Sequence, residues 1–176
     1  MSKILNHLSS SGSYKKLRSN PISRILKEVK KVIKGSSLDD KNKKLLLPTG
    51  EITPRIYGLP KIHKDGVPLR PIVNTIGPPT YELAKYVAKK LGPLVGHTES
   101  FIKDSTDFVR LISEEKIDPN DIMVRFDVVS LFTKITLNES IEVIQEVTDP
   151  ETAKFAEICL HSTFFSFQGE FYEQTS

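Results

Sequence analysis

One cysteine, no long apolar run and no Walker-type phosphate loop occur in this sequence, and each absence narrows what the chain can be. Cys159 alone closes no internal disulfide and cannot by itself hold a structural zinc, so neither staple contributes to folding. A reducing, intracellular compartment is the expectation. No stretch reaches the roughly 18 apolar residues of a membrane span. The first residues, Met1 to Ser13, are Ser-rich and polar, without the apolar core of a signal peptide. No membrane partner is expected. The missing Gly-rich phosphate loop weighs against an unrelated phosphotransferase, and no internal repeat suggests a solenoid.

What remains is a chain of 176 residues with 38% apolar content, enough for one domain with a real core or a large piece of a bigger protein. Its net charge of +3 is unevenly spread. Residues 1 to 64 carry 15 Lys and Arg against 4 Asp and Glu, net +11, whereas residues 65 to 176 are net −8. That asymmetry suits one surface for a polyanion and another that holds cations, although a solvated basic helix followed by ordinary acidic helix faces would look the same.

Ile22, Ile25, Leu26, Val29 and Ile33 recur at helical spacing after Pro21, with lysines and arginine between them, and predict a basic amphipathic helix stopped by Gly35. A shorter helix, Leu38 to Leu46, follows before Pro48 and Gly50. From Pro54 to Val73 the texture is that of short irregular strands around Asp65-Gly66, at edge positions because proline donates nothing to a ladder. Tyr81 to Leu91 reads as a helix, and Asp104 caps another whose apolar face is Phe108, Val109, Leu111 and Ile112. Ile122 to Val128 alternates and predicts a strand with Asp127 at its end. Helices over Thr136 to Val147, opened by a Thr136/Glu139 capping box, and Pro150 to Leu160 precede a hairpin of Phe164 to Phe167 and Glu170 to Gln174.

Two constellations could carry chemistry. Lys61, His63 and Lys64 stand before a glycine turn and Arg70 follows it, a grouping that could clamp a triphosphate or a nucleic-acid backbone. An exposed basic hairpin would show the same residues. Asp127 closes an apolar run with an aromatic, Phe132, five residues on. A carboxylate at a strand end can hold Mg2+ together with substrate phosphates, but it can equally serve a turn or a helix cap.

Five blocks occur in order: Pro54-Arg-Ile-Tyr-Gly-Leu-Pro-Lys-Ile-His-Lys64, Leu69-Arg-Pro-Ile-Val73, Gly77-Pro-Pro-Thr-Tyr81 with Leu83-Ala-Lys85, Phe126-Asp-Val-Val-Ser-Leu-Phe-Thr133, and Phe165-Ser-Phe-Gln-Gly-Glu-Phe-Tyr-Glu-Gln174. Together, over about residues 14 to 176, they resemble the reverse transcriptase of Penelope-like retroelements, relatives of telomerase reverse transcriptase. The resemblance implies an α/β (α+β) fold: a partial right-hand polymerase with helices packed on a small, mostly antiparallel sheet. Residues 1–50 would be a basic helical region, 51–120 fingers-like, and 121–176 an incomplete palm.

By that resemblance Lys61, Lys64 and Arg70 would contact the incoming deoxynucleoside triphosphate or the RNA template. Asp127, with the carbonyl of Val128, would hold Mg2+. Phe132 would be the aromatic gate that excludes a ribose 2′-hydroxyl, and Gln174 would lie close to template or nucleotide. Phe165, Phe167, Phe171 and Tyr172 read instead as core or hairpin packing. The implied reaction is two-metal nucleotidyl transfer to the 3′-hydroxyl of a DNA primer. The family's paired aspartates, in a hairpin after an aromatic, have no counterpart here: Asp39-Asp40 and Glu114-Glu115 follow no aromatic. The expectation is therefore a chain truncated before its palm is complete, without thumb or endonuclease domain, inactive alone and exposing a hydrophobic face. Its chemistry would place it in the nucleus. The alternative is a non-catalytic nucleic-acid-binding remnant of a retroelement.

Overall fold

The structure is a computed structural model that describes Ile4, Leu8 and residues 12–116, 118–128 and 135–175. Among these residues the fold is mixed α/β, with six helices and a sheet of five strands.

The first strand, β1 (Tyr14–Leu17), was not expected: its two apolar residues flank a pair of lysines, too short a signal to read. Helix α1 (Ile22–Lys34) forms where Ile22, Ile25, Val29 and Ile33 share one buried stripe. The Asn20 carboxamide accepts from the Ile22 N–H at 3.1 Å, and Lys31 and Lys34 lie in the last turn, where cations oppose the helix dipole. Asp39 caps α2 (Asp40–Leu46), accepting from the Asn42 N–H at 2.7 Å. Strands β2 (Arg55–Pro60) and β3 (Leu69–Asn74) form an antiparallel hairpin. Asp65 and Gly66 sit inside the Lys64–Val67 turn, with Gly66 at a φ of 69°. Helix α3 (Tyr81–Leu91) inserts Leu83 and Val87 into the core. Asp104 and Thr136 cap α4 (Ser105–Glu114) and α5 (Leu137–Val147), each accepting from the N–H three residues on. Helix α6 (Pro150–His161) leads to the hairpin of β4 (Phe164–Phe167) and β5 (Glu170–Gln174).

The sheet order is β1-β5-β4-β2-β3, antiparallel except where β2 runs parallel to β4 at Arg55 and Ser166. Thus β3, with Pro71 inside it, takes an edge, as a proline-bearing strand should. Residues 14 and 174 pair side by side, as do 17 and 171, so stretches far apart in the sequence share one sheet. Strand alternation divides its two faces. One carries Ile56, Phe165, Phe167, Val73, Tyr14 and Tyr172, packed with Leu8 and Ile4. Here Phe165 meets Tyr14 edge-on at 5.5 Å and stacks with Tyr172 at 5.8 Å, which makes these aromatics packing residues. The other face contributes Phe164 to the larger core built by α1, α2, α3 and α6 around Phe155.

Two expectations fail. Residues 122–128 form no strand; Ile122, Val124 and Phe126, which alternation would turn inward, are 83%, 65% and 90% exposed. Alternation specifies a strand only where a partner completes the ladder, and neither sheet edge takes this segment up. Likewise α4 forms and is capped as read, yet Phe108, Val109 and Leu111 stay exposed and no residue of the helix is buried.

Candidate nucleic-acid interface

Register determines which site residues meet. Tyr57 pairs with Ile72 and Leu59 with Arg70, so Arg55, Tyr57, Leu59 and Arg70 share the face opposite Ile56. The ladder runs one bond past the strand, the Lys61 N–H donating to the Pro68 carbonyl at 2.9 Å. Lys61 is therefore a diagonal neighbour of Arg70, with backbones about 7–8 Å apart. Lys64 stands in the same turn, its N–H donating to the Lys61 carbonyl at 3.0 Å. Lys64 and Arg70 are exposed and Lys61 is half-buried; none has an ion-pair partner among the described residues. The hairpin thus gathers three cations on one turn and its adjoining strand, with their positive charge unspent.

Sequence reasoning missed two residues of this surface. Arg55 and Tyr57 occupy the same face as Arg70, and both are exposed. The alternation in Arg55-Ile56-Tyr57 could have shown it: if Ile56 is buried, its neighbours face the other way. Arg55 also lines a cleft of about 810 Å3 with Asn20, Asn74, Ser166, Gln168 and Phe171. Asn74, Arg55, Ser166 and Phe171 are successive register partners, so they form one row across four strands. An arginine, three carboxamides and a phenyl ring in one cleft can contact phosphate, base edges and a base face.

The remaining residues of the expected site lie elsewhere. Gln174 pairs with Tyr14 on the face opposite Arg70, three strands away, roughly 14 Å across the sheet at 4.8 Å per strand and about seven residues further along it. It lines a separate cleft of about 530 Å3 with Thr136, Leu137, His161 and Glu173. Asp127 and Val128 stand on the exposed segment after α4, and no hydrogen bond or ion pair among the described residues joins them to the hairpin. Phe132 lies outside the described residues.

A magnesium site requires more than Asp127. No group of three or more His, Cys, Asp or Glu side chains able to hold a metal occurs among the described residues. One exposed carboxylate does not fit a catalytic ion that prefers octahedral oxygen ligands. Among the described residues, no helix is long and apolar enough to cross a membrane. Comparison with family models, with curated proteins and with solved structures finds no match.

Proposed function

We propose that the chain is part of an RNA-directed DNA polymerase of the Penelope-like type, contributing fingers and the first portion of a palm. The observation that carries this reading is the β2–β3 hairpin, where Lys61, Lys64 and Arg70, three cations of the resembling blocks, are neighbours with no ion-pair partner among the described residues. A triphosphate or a template backbone is the chemistry such a cluster serves. In this reading the protein's contribution is charge and position: the hairpin neutralises phosphate oxygens and holds a deoxynucleotide or an RNA template against its own exposed face. Primer, template and deoxynucleoside triphosphates are its partners, and the nucleus is its place of work.

The chain alone does not polymerise DNA in this reading, because Asp127 by itself does not make a metal site. The same observation favours a second reading, a non-catalytic nucleic-acid-binding remnant of a retroelement. One titration and one assay decide between them. Fluorescence titration with a deoxynucleoside triphosphate should show binding that Arg70→Ala weakens by on the order of tenfold or more, the scale of one lost charge-assisted pair. In a longer polypeptide that adds an aromatic-aspartate-aspartate hairpin, primer extension on an RNA template should appear and be lost in Asp127→Asn. Triphosphate binding indifferent to Arg70, or extension indifferent to Asp127, overturns the polymerase reading.

A further inference from the structure

The polymerase reading leaves the most basic element of the molecule without a task. On α1 the buried stripe of Ile22, Ile25, Val29 and Ile33 leaves Arg24, Lys27, Lys31 and Lys34 exposed on the other side of the helix. At 100° per residue these four fall within a sector about 80° wide, and at 1.5 Å per residue they extend about 15 Å along the axis. Arg24 pairs with Glu28 at 3.3 Å. Lys27, Lys31 and Lys34 have no ion-pair partner among the described residues. Next to them Lys31 shares a groove with Lys154 of α6. The nearby carboxylate of Glu151 is engaged by the N–H and hydroxyl of Ser37 at 2.6 and 3.0 Å.

We propose that this outer face of α1 is a docking rail for the phosphate backbone of double-stranded nucleic acid. A rigid rod with a row of cations matches a rigid rod of anions: a duplex presents a charge every 1.7 Å of its axis, about nine along the length of the rail. The rail has no aromatic residue, so it offers no stacking surface of the kind single strands use. A membrane surface fits less well, since an interfacial helix inserts its apolar side, and here that side is the protein core, with Val29 and Ile33 at 0% exposure. The choice of partner rests on the proposed function; the rail itself rests on charge and burial.

The test uses the whole chain and a short blunt DNA duplex, with anisotropy read over a series of salt concentrations. Reversing Lys27→Glu, Lys31→Glu and Lys34→Glu together should weaken duplex binding by well over tenfold and flatten the plot of log affinity against log salt by about 2.7, roughly 0.9 for each lost phosphate contact. Reversing Lys89, Lys103 and Lys116, which are exposed and scattered, alters net charge equally and should flatten the slope by less than one contact. Circular dichroism confirms that both variants keep their helices. Equal losses in the two variants overturn the rail, as does a single strand of the same sequence losing as much as the duplex, or tighter capture of the wild type by phosphatidylserine vesicles than by duplex. A chain that binds triphosphate through Arg70 but fails this test sinks the rail alone; one that passes it but binds no triphosphate sinks only the polymerase reading.

Discussion

At the scale of single residues, helix caps do more than stop fraying. Asp149 opens α6 by accepting from the N–H groups of Glu151 and Thr152 at 3.1 and 2.9 Å and from the Thr152 hydroxyl at 2.6 Å. The Thr152 hydroxyl foremost, then these N–H groups, hold the Asp149 carboxyl below its ordinary value of 3.8. A depressed folded value means the ionised cap stabilises the fold above the unfolded value, and this contribution is lost as pH falls through the folded one. Asp149→Ala should therefore cost about 1–2 kcal/mol at neutral pH, toward the upper end because Thr152 is 3% exposed and would lose its partner. Urea unfolding across pH tests it: the gap between wild type and variant should close below pH 3.8, and a constant gap would refute the assignment. Cys159 makes a second case. Burial against the helical core pushes its thiol from 9.0 up to about 12. Alkylation at mildly basic pH should run roughly a thousandfold slower in the folded chain than in urea, and comparable rates would show the sulfur to be open.

At the scale of elements, the entry to β2 and the exit from β3 depend on two glycines that meet. Gly77 has a φ of 90°, and its carbonyl accepts from the Ile52 N–H at 3.3 Å. A Cβ on Gly77 would come within 2.8 Å of the Ile52 side chain, and one on Gly50 within 2.9 Å of the Gly77 carbonyl oxygen. Gly77→Ala should destabilise the chain by about 1–2 kcal/mol, chiefly through backbone strain at positive φ. Because Gly50→Ala would strain the same crossing, the double variant should cost less than the two single losses together, whereas simple additivity in a double-mutant cycle would separate the sites. The sequence exposed these elements unequally. Helices whose apolar residues recur at helical spacing between breaking residues, α1 and α3, are legible because spacing and punctuation are local, and α6 is opened by its Asp149 cap. The two hairpins, whose turns carry glycine, are legible too. The four-residue β1 was not legible, since only pairing with β5 defines it. Segment 122–128 went wrong for the converse reason: its alternation was clear, but a ladder is non-local. The same divide runs through the candidate site. Lys61, Lys64 and Arg70 were found together because one hairpin holds them, while Gln174 and Asp127 depended on long-range placement that no spacing encodes.

At the scale of the whole molecule, the two cores do not use all the apolar surface. Ile122, Met123, Val124, Phe126 and Val128 are each more than 60% exposed, adjacent to α4, which buries none of its residues. Contiguous apolar surface of this kind binds hydrophobic probes and invites association, and it makes no contribution to the stability of the folded chain. Exchanging Phe126 and Ile122 for serine should therefore separate two properties that fall together when a core residue is changed. Binding of a hydrophobic dye and light scattering at high concentration should both drop, while the thermal midpoint stays unchanged, because neither side chain leaves a cavity at 90% and 83% exposure. Leu83→Ala is the contrast: at 0% exposure in the helical core it should cost about 2–5 kcal/mol and raise dye binding. If the double serine variant instead lowers the midpoint as Leu83→Ala does, segment 122–128 is packed against the fold in solution, and Asp127 would have to be reconsidered as a residue held in place rather than one standing in open solvent.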